Sequence, residues 1–285
     1  MPKFSFEETV KKIKSLEIQG AENIAIKAIE AFSQKLKETK SLSKLKKYAN
    51  ELKSARPTEP GLQNALNYCL KAHEDGKDVT KLALDHFKNN QKIIAKNGSA
   101  LMKSGMKIFT HCHSSTVERV LVEAKKQGKK IEVFNTETRP RFQGRATATA
   151  LAKAGIPVTH CVDSAGRSLL RNCDLFLIGC DSITQSGKVI NKIGTESLFD
   201  AANESKIPIY VCTNSWKFDT KETKIEQRNP NEVWENPPKN VKIYNPAFEI
   251  VDIKKVKGVV TELGIIKPKK LSRLLKKKYP YIFKK

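Results

Sequence analysis

DLFLIGCDSIT, residues 174–184, decides the architecture. Asp174 opens the stretch, Leu175 to Cys180 carry neither charge nor hydroxyl, and Asp181 ends that apolar run. A strand that is apolar at successive positions has no solvent face, so it belongs inside a parallel sheet covered on both sides. Outward from it lie further runs of the same texture: MKIFT (106–110), IEVFN (131–135), IPVTHCV (156–162) and IPIYVCT (207–213). Helical spacing falls between them, at 115–127, 145–154, 164–172 and 195–205. Strands alternating with helices predict a Rossmann-like parallel sheet with helices on both faces over residues 104–285.

Upstream the texture changes. Val10, Ile13 and Leu16, then Ile24, Ile26, Ala28 and Ile29, have the spacing of amphipathic helices broken at Gly20. ARPTEPG (55–61) reads as a turn, and helices are expected from Leu62 to His73 and from Val79 to about Asn97. Residues 1–103 are therefore expected to form a helical N-terminal domain, which makes the whole chain an α/β protein.

A chain of 285 residues with 39% hydrophobic content can bury a core. No stretch approaches the roughly 18–20 unbroken apolar residues of a membrane helix. The opening MPKFSFEETVKKIKS lacks the apolar segment of a secretion signal, so a cytoplasmic location is expected. The net charge of +23 invites a nucleic-acid reading. Its dense regions, 35–53 and KKLSRLLKKKYPYIFKK (269–285), interleave no aromatic residues in an RNA-binding pattern, so no specific nucleic acid is expected. Cysteines stand at 69, 112, 161, 173, 180 and 212 without C-x-x-C or zinc spacing. Five of them read as buried reduced thiols, Cys112 standing apart. No metal is expected, and the absence of G-x-G-x-x-G after the first strand argues against a dinucleotide cofactor.

In sheets of this kind the ligand lies beyond the carboxyl ends of the strands. Those ends carry Thr110-His111-Cys112, Thr136 to Pro140, Asp163-Ser164, Asp181-Ser182 and Thr213-Asn214. Cys112 precedes a helix expected to begin near Ser115, where the helix dipole favours thiolate; a buried, inert cysteine fits the same position. Asp181, against apolar walls, is expected to exchange protons near neutrality; an aspartate capping the next turn also fits. Ser114, Ser115 and Thr116 make a helix start suited to an anion. Asn191-Lys192 precedes another helix start, and Arg139, Arg145 and Lys217 add positive charge. Singly these basic groups read as solvated. Concentrated at strand ends, they favour a phosphorylated ligand.

The blocks EIQGAENIA (17–25), ARPTEPGLQNAL (55–66), THCHS (110–114), TETRPRFQGR (136–145), GIPVTHCVDSA (155–165), GCDSIT (179–184), GKVINKIGT (187–195) and Lys217-Phe218 carry a resemblance over nearly the whole chain. They resemble the family of ribose-1,5-bisphosphate and methylthioribose-1-phosphate isomerases and the initiation factor 2B alpha, beta and delta subunits. The resemblance implies an aldose–ketose isomerase with Cys112 as the base at C2 and Asp181 exchanging protons with hydroxyl oxygens. It implies substrate contacts from Gln19, Gly20, Ala21, Arg56, Ser114, Gln143, Asn191, Lys192 and Lys217, with neither metal nor cofactor. It also implies a homo-oligomer, dimer or hexamer. The alternative is a non-catalytic regulatory subunit whose partner is initiation factor 2. One departure stands out: the bisphosphate isomerases carry Arg-Gly-Ala-Gly where this chain has Gln19-Gly20-Ala21-Glu22. The exchange removes a charge-assisted phosphate contact, worth roughly 1.5–3 kcal/mol, and adds a negative charge.

Overall fold

The computed structural model describes residues 4–18, 20–221, 225 and 227–283. Five helices lead: α1 (Phe6–Lys14), α2 (Ala21–Glu38), α3 (Leu42–Ala55), α4 (Pro60–Glu74) and α5 (Val79–Ser99). α1 opens on a capping box in which the Ser5 hydroxyl accepts from Glu8 N–H and Glu8 accepts from Ser5 N–H. Pro60 takes the first position of α4, where its missing N–H has no consequence. The break at Gly20 and the ARPTEPG turn fall where the spacing predicts. The stop between α2 and α3 at Thr39–Ser41 was not anticipated, since no glycine or proline marks it.

The alternation follows: β1 (Lys107–Thr110), α6 (Ser115–Lys126), β2 (Glu132–Thr136), α7 (Gln143–Lys153), β3 (Val158–Cys161), α8 (Gly166–Leu170) and β4 (Leu175–Ile178). β5 (Ser182–Thr184) and β6 (Lys188–Lys192) precede α9 (Thr195–Glu204) and β7 (Ile209–Cys212). The chain ends with β8 (Phe218–Asp219), β9 (Phe248–Asp252), β10 (Gly258–Thr261), β11 (Gly264–Ile266) and α10 (Pro268–Lys278).

The main sheet has the order β11-β10-β7-β4-β1-β2-β3, with only the edge strand β11 antiparallel. β4 is buried at all four positions. Leu175 and Leu177 face one cluster with Ile94 of α5, Val120 and Leu121 of α6, and Leu151 of α7. Phe176 and Ile178 face the other, with Leu170 of α8 and Phe199 of α9. This second cluster continues without a break into the N-terminal helices, through Ile24, Phe32 and Leu66. Each such side chain contributes about 1.5–3 kcal/mol by burial, so a charge on either face of β4 is excluded.

Two details depart from expectation. The helix expected at 164–172 is a short 3-10 turn followed by the five-residue α8. A second, four-stranded sheet, β8-β5-β6-β9, also exists beside the first. Its strands are too short, or too mixed in polarity, to register as apolar runs; β9 is FEIVD and exposes Ile250. This small sheet carries Asn191 and Lys192 on β6, so the missed element is the one that delivers a site lysine.

Candidate functional site

The parallel strand order reverses between β1 and β4, and the crevice outside such a switch point is where open α/β sheets bind ligands. Cys112 follows β1 and Asp181 follows β4, so the two residues flank that crevice. Ser114 caps α6 by accepting from Val117 N–H, and it lies tight against Gly179 at the end of β4. A Cβ on Gly179 would come 2.4 Å from the Ser114 hydroxyl oxygen, so only glycine lets the two strand ends approach this closely.

Cys112 is half-buried and its backbone is left-handed, at φ +65°. A non-glycine residue holds that conformation only when its surroundings fix it. Here Cys112 N–H donates to the Thr138 hydroxyl (3.0 Å), and Thr147 Oγ1 donates to the Cys112 carbonyl (3.1 Å). Thr138 is held in turn by Asp163, whose carboxylate accepts from the N–H groups of Thr138 (2.8 Å) and Arg139 (2.7 Å). His111, buried, bonds Thr136 Oγ1 through Nδ1 (2.6 Å) and the Ile193 carbonyl through Nε2 (3.0 Å). Its ring ties β1 to β2 and to the turn after β6, and burial holds its pKa down. His113 bonds Thr147 instead, so the two histidines diverge.

Burial works against the thiolate that the helix start favours at Cys112. Burial pushes the thiol up to about 11, and the nearby Lys192 ammonium pulls it back only in part. Desolvation outweighs the helix dipole because the thiol lies inside the crevice, three residues before α6 begins. The Asp181 carboxyl is shifted upward as well. Burial raises its carboxyl, while Lys217, Lys192 and Arg56 oppose the rise.

Three cations thus converge on Asp181 from separate stretches of chain. Lys192 is buried, with its ammonium 4.8 Å from the centroid of the Phe248 ring. Lys217 donates to the Cys180 carbonyl (2.8 Å), and its stem passes Gly61 at the start of α4. That same glycine faces the Ala21 carbonyl, which places Ala21 beside α4. Gly20 caps α2 at φ +84° and faces open space. Arg56 closes α3, with Nη2 3.6 Å from Glu59 Oε1.

The remaining expected residues are placed as follows. Asn191 is buried, and its amide donates to Thr195 Oγ1 (2.9 Å) at the start of α9, so it shapes the turn around Lys192. Gln143 is the first residue of α7, and its Oε1 is buried without a hydrogen-bond partner among the described residues. Gln19 lies outside the described residues. Glu22 turns away from the crevice: its carboxylate pairs with Arg119 of α6 (2.9 Å) and with Gln91 of α5, which offsets the negative charge read from the sequence. Arg139 and Arg145 are engaged elsewhere, flanking the Phe142 ring at 5.0 and 3.8 Å. Four of the five remaining cysteines are buried as expected, whereas Cys161 is half-buried.

Sequence reading passed over Glu59 and Asn64 as site components, and it placed Thr138 and Asp163 at the strand ends without giving either a role. Glu59 and Asn64 both lie in the block ARPTEPGLQNAL, so the signal was present without a reason attached. Asn64, buried, donates to the carbonyls of Trp216 (2.7 Å) and Phe218 (2.8 Å) and so clamps the turn that carries Lys217. Among the described residues no group of three or more His, Cys, Asp or Glu is placed to hold a metal ion. No helix among them is long and apolar enough to cross a membrane.

Comparison with known proteins agrees with this fold. Residues 17–268 match the model of the Initiation factor 2 subunit family. The ribose 1,5-bisphosphate isomerase of Methanocaldococcus jannaschii is 38% identical over 97% of this chain and 96% of its own. The Pyrococcus horikoshii translation initiation factor eIF-2B superposes with a TM-score of 0.82 at 28% identity, covering 92% of this chain and 97% of that one. The 5-methylthioribose 1-phosphate isomerase of the same organism superposes at 0.77 with 26% identity, covering 97% of this chain and 88% of that one. The protein is a member of the Initiation factor 2 subunit family.

Proposed function

We propose that the chain is an aldose–ketose isomerase that converts ribose 1,5-bisphosphate, or a related sugar 1-phosphate, to the ketose. The observation that carries this reading is the placement of Cys112 and Asp181 on either side of the switch point, with the charge of Lys192 acting on both. The relatives of more than 30% identity over nearly the full chain, being named as isomerases, favour it over the regulatory alternative.

In this scheme the bond between C1 and the ring oxygen breaks as Asp181 protonates that oxygen. The Cys112 thiolate takes the C2 proton, and the electron pair forms the C1–C2 double bond. Asp181 then recovers a proton from the C2 hydroxyl as the carbonyl forms, and Cys112 returns its proton to C1. Both groups end as they began. A thiol near pKa 11 lies about four units from its ionised form at pH 7, a cost of roughly 5 kcal/mol. That makes Cys112 a strong base suited to a weak carbon acid, with Lys192 as the cation that stabilises its ionised form. Negative charge on the enediolate is met by Lys192 and Lys217. The phosphates are held by Arg56, Lys217, Ser114 and the start of α6, with Gly20, Ala21, Gln19, Gln143 and Asn191 completing the pocket.

Residues 1–103 then act as a helical domain that supplies Arg56, and 104–285 as the domain that supplies the acid and base. The enzyme works in the cytoplasm, a reading supported by six free cysteines. It works as a dimer or hexamer, supported by the exposed Trp234 and Tyr244. The test is incubation of the pure protein with ribose 1,5-bisphosphate and detection of ribulose 1,5-bisphosphate. Turnover no greater than that of Cys112→Ser overturns the reading.

A further inference from the structure

Lys192 closes β6 and Phe248 opens β9, and the two are direct cross-strand partners in the antiparallel β6–β9 pair. The centroid of the Phe248 ring lies 4.8 Å from the Lys192 ammonium, and the lysine is only 9% exposed. Among the described residues that ammonium has neither a hydrogen bond nor an ion pair. The acids of β9 are engaged elsewhere: Glu249 Oε1 accepts from the Glu196 N–H in the first turn of α9 (2.5 Å), and Asp252 pairs with Lys188 (3.5 Å). The chain on either side of Lys192 is tied to both proposed reacting groups. Asp181 N–H donates to the Ile190 carbonyl (2.9 Å). The Ile193 carbonyl meets His111 Nε2 at 3.0 Å, one residue before Cys112. The fold thus fixes the backbone of Lys192 against the ends of β4 and β1, and leaves its side chain to the ring.

We propose that Phe248 is a positioning residue for the isomerisation, its ring holding the Lys192 ammonium in the crevice while leaving that charge free to meet the anionic intermediate. This inference rests on the isomerase reading. An ammonium taken out of water needs a partner. A carboxylate would supply one, but it would also cancel the charge and occupy N–H donors. The face of an aromatic ring attracts a cation through its quadrupole and carries no net charge, so the field of Lys192 still reaches the substrate. A lysine stem is long and flexible, and the ring selects the conformers that set the ammonium over it. Phe248 thereby decides where the charge stands, whereas β6 decides only where the stem begins.

The experiment compares the wild type with Phe248→Leu and Phe248→Tyr. It measures turnover of ribose 1,5-bisphosphate and the pH dependence of iodoacetamide alkylation, followed at Cys112 by peptide mass spectrometry. The charged groups that face Cys112 are Lys192, Asp181 and Asp163, and Lys192 is the one whose charge favours the thiolate. Leucine keeps an apolar contact and removes the quadrupole, so kcat is expected to fall about tenfold while KM changes less than about twofold. The alkylation curve is expected to move to higher pH, in the direction of Lys192→Met. Phe248→Tyr is expected to restore both, because it keeps the ring. In a Lys192→Met background, Phe248→Leu is expected to move the curve no further, since a residue that acts through Lys192 then has nothing to position. An unmoved curve in Phe248→Leu, equal impairment of Phe248→Leu and Phe248→Tyr, or an undiminished shift in the Lys192→Met background overturns the inference. If Phe248→Leu does not fold, the wild-type proton NMR spectrum decides: Lys192 ε-methylene signals displaced upfield by the ring current uphold the inference, and signals at the ordinary lysine position overturn it. If the wild type shows no turnover, the isomerase reading fails, and the alkylation curves still judge the contact separately.

Discussion

Replacing Asn64 by leucine is the sharpest test of how the site is held. The Asn64 amide is the donor to both the Trp216 and the Phe218 carbonyls, at 2.7 and 2.8 Å, and all three residues are buried. Leucine has the same branching and number of heavy atoms and leaves no cavity, so the loss lies mainly in two buried acceptors left without a donor. At about 1–3 kcal/mol for each unsatisfied group, the expected destabilisation is roughly 2–6 kcal/mol. Lys217 stands between those two carbonyls and reaches Cys180 from there, so slack in this turn moves an ammonium that faces Asp181. Displacement by about 1 Å costs on the order of a hundredfold in rate. Urea unfolding followed by far-UV circular dichroism measures the first quantity, and kcat/KM the second. The conservative exchange Asn64→Asp is expected to be worse above neutrality, because it sets an anion against two carbonyl oxygens. The introduced carboxyl would have its pKa raised by folding, so stability is recovered as the pH falls and lost as it rises through that pKa. A destabilisation below about 1 kcal/mol in Asn64→Leu, with unchanged kcat/KM, refutes the reasoning.

The Cys112 thiol at about 11 should make the protein slow to alkylate: inactivation by iodoacetamide should climb between pH 8 and 10 without a plateau, and Lys192→Met should shift the curve upward. A plateau below pH 8 would contradict this. His86 stacks on Trp216 at 3.7 Å, and burial takes its pKa down to about 4. Its folded pKa lies below the unfolded value near 6.5, so the stability it contributes is complete above that value and lost as pH falls toward 4, by up to roughly 3 kcal/mol. Denaturation curves at pH 7 and 4.5 should converge in His86→Phe by that amount; an unchanged difference counts against it. Gly144→Ala would place a Cβ 1.8 Å from the Thr136 carbonyl oxygen, a backbone atom that cannot yield without moving the loop that holds Cys112. A loss of about 3 kcal/mol or more, read by thermal unfolding, is expected.

Much of this architecture is legible in the sequence because Leu175 to Ile178 leave no choice of face, and a strand with no solvent face must lie at the centre of a covered sheet. From there the strand ends name Cys112 and Asp181 directly. The ionisation of Cys112 is not legible, because position relative to a helix says nothing of depth in a crevice, and depth wins. The second sheet hid for another reason. SIT and FD are shorter than any window in which periodicity can be seen, and they exist as strands because SIT pairs with β6 on one side and with FD, far along the chain, on the other. Glu59 escaped notice as one acid beside two prolines in an apparent turn. Its character comes first from burial, and sequence order gives no sign of that depth.

The cations around Asp181 come from α3, β6 and the turn after β7, positions 56, 192 and 217. An anion seated among them acts as a removable cross-link between segments far apart in the chain. Its binding energy is then also folding energy: at a hundredfold excess over Kd, about 2.7 kcal/mol is added to the stability of the whole molecule. The melting temperature thereby becomes a gauge of which phosphorylated sugar fits. That gauge operates before any turnover is measured, and it also responds to variants in which Cys112 has been removed.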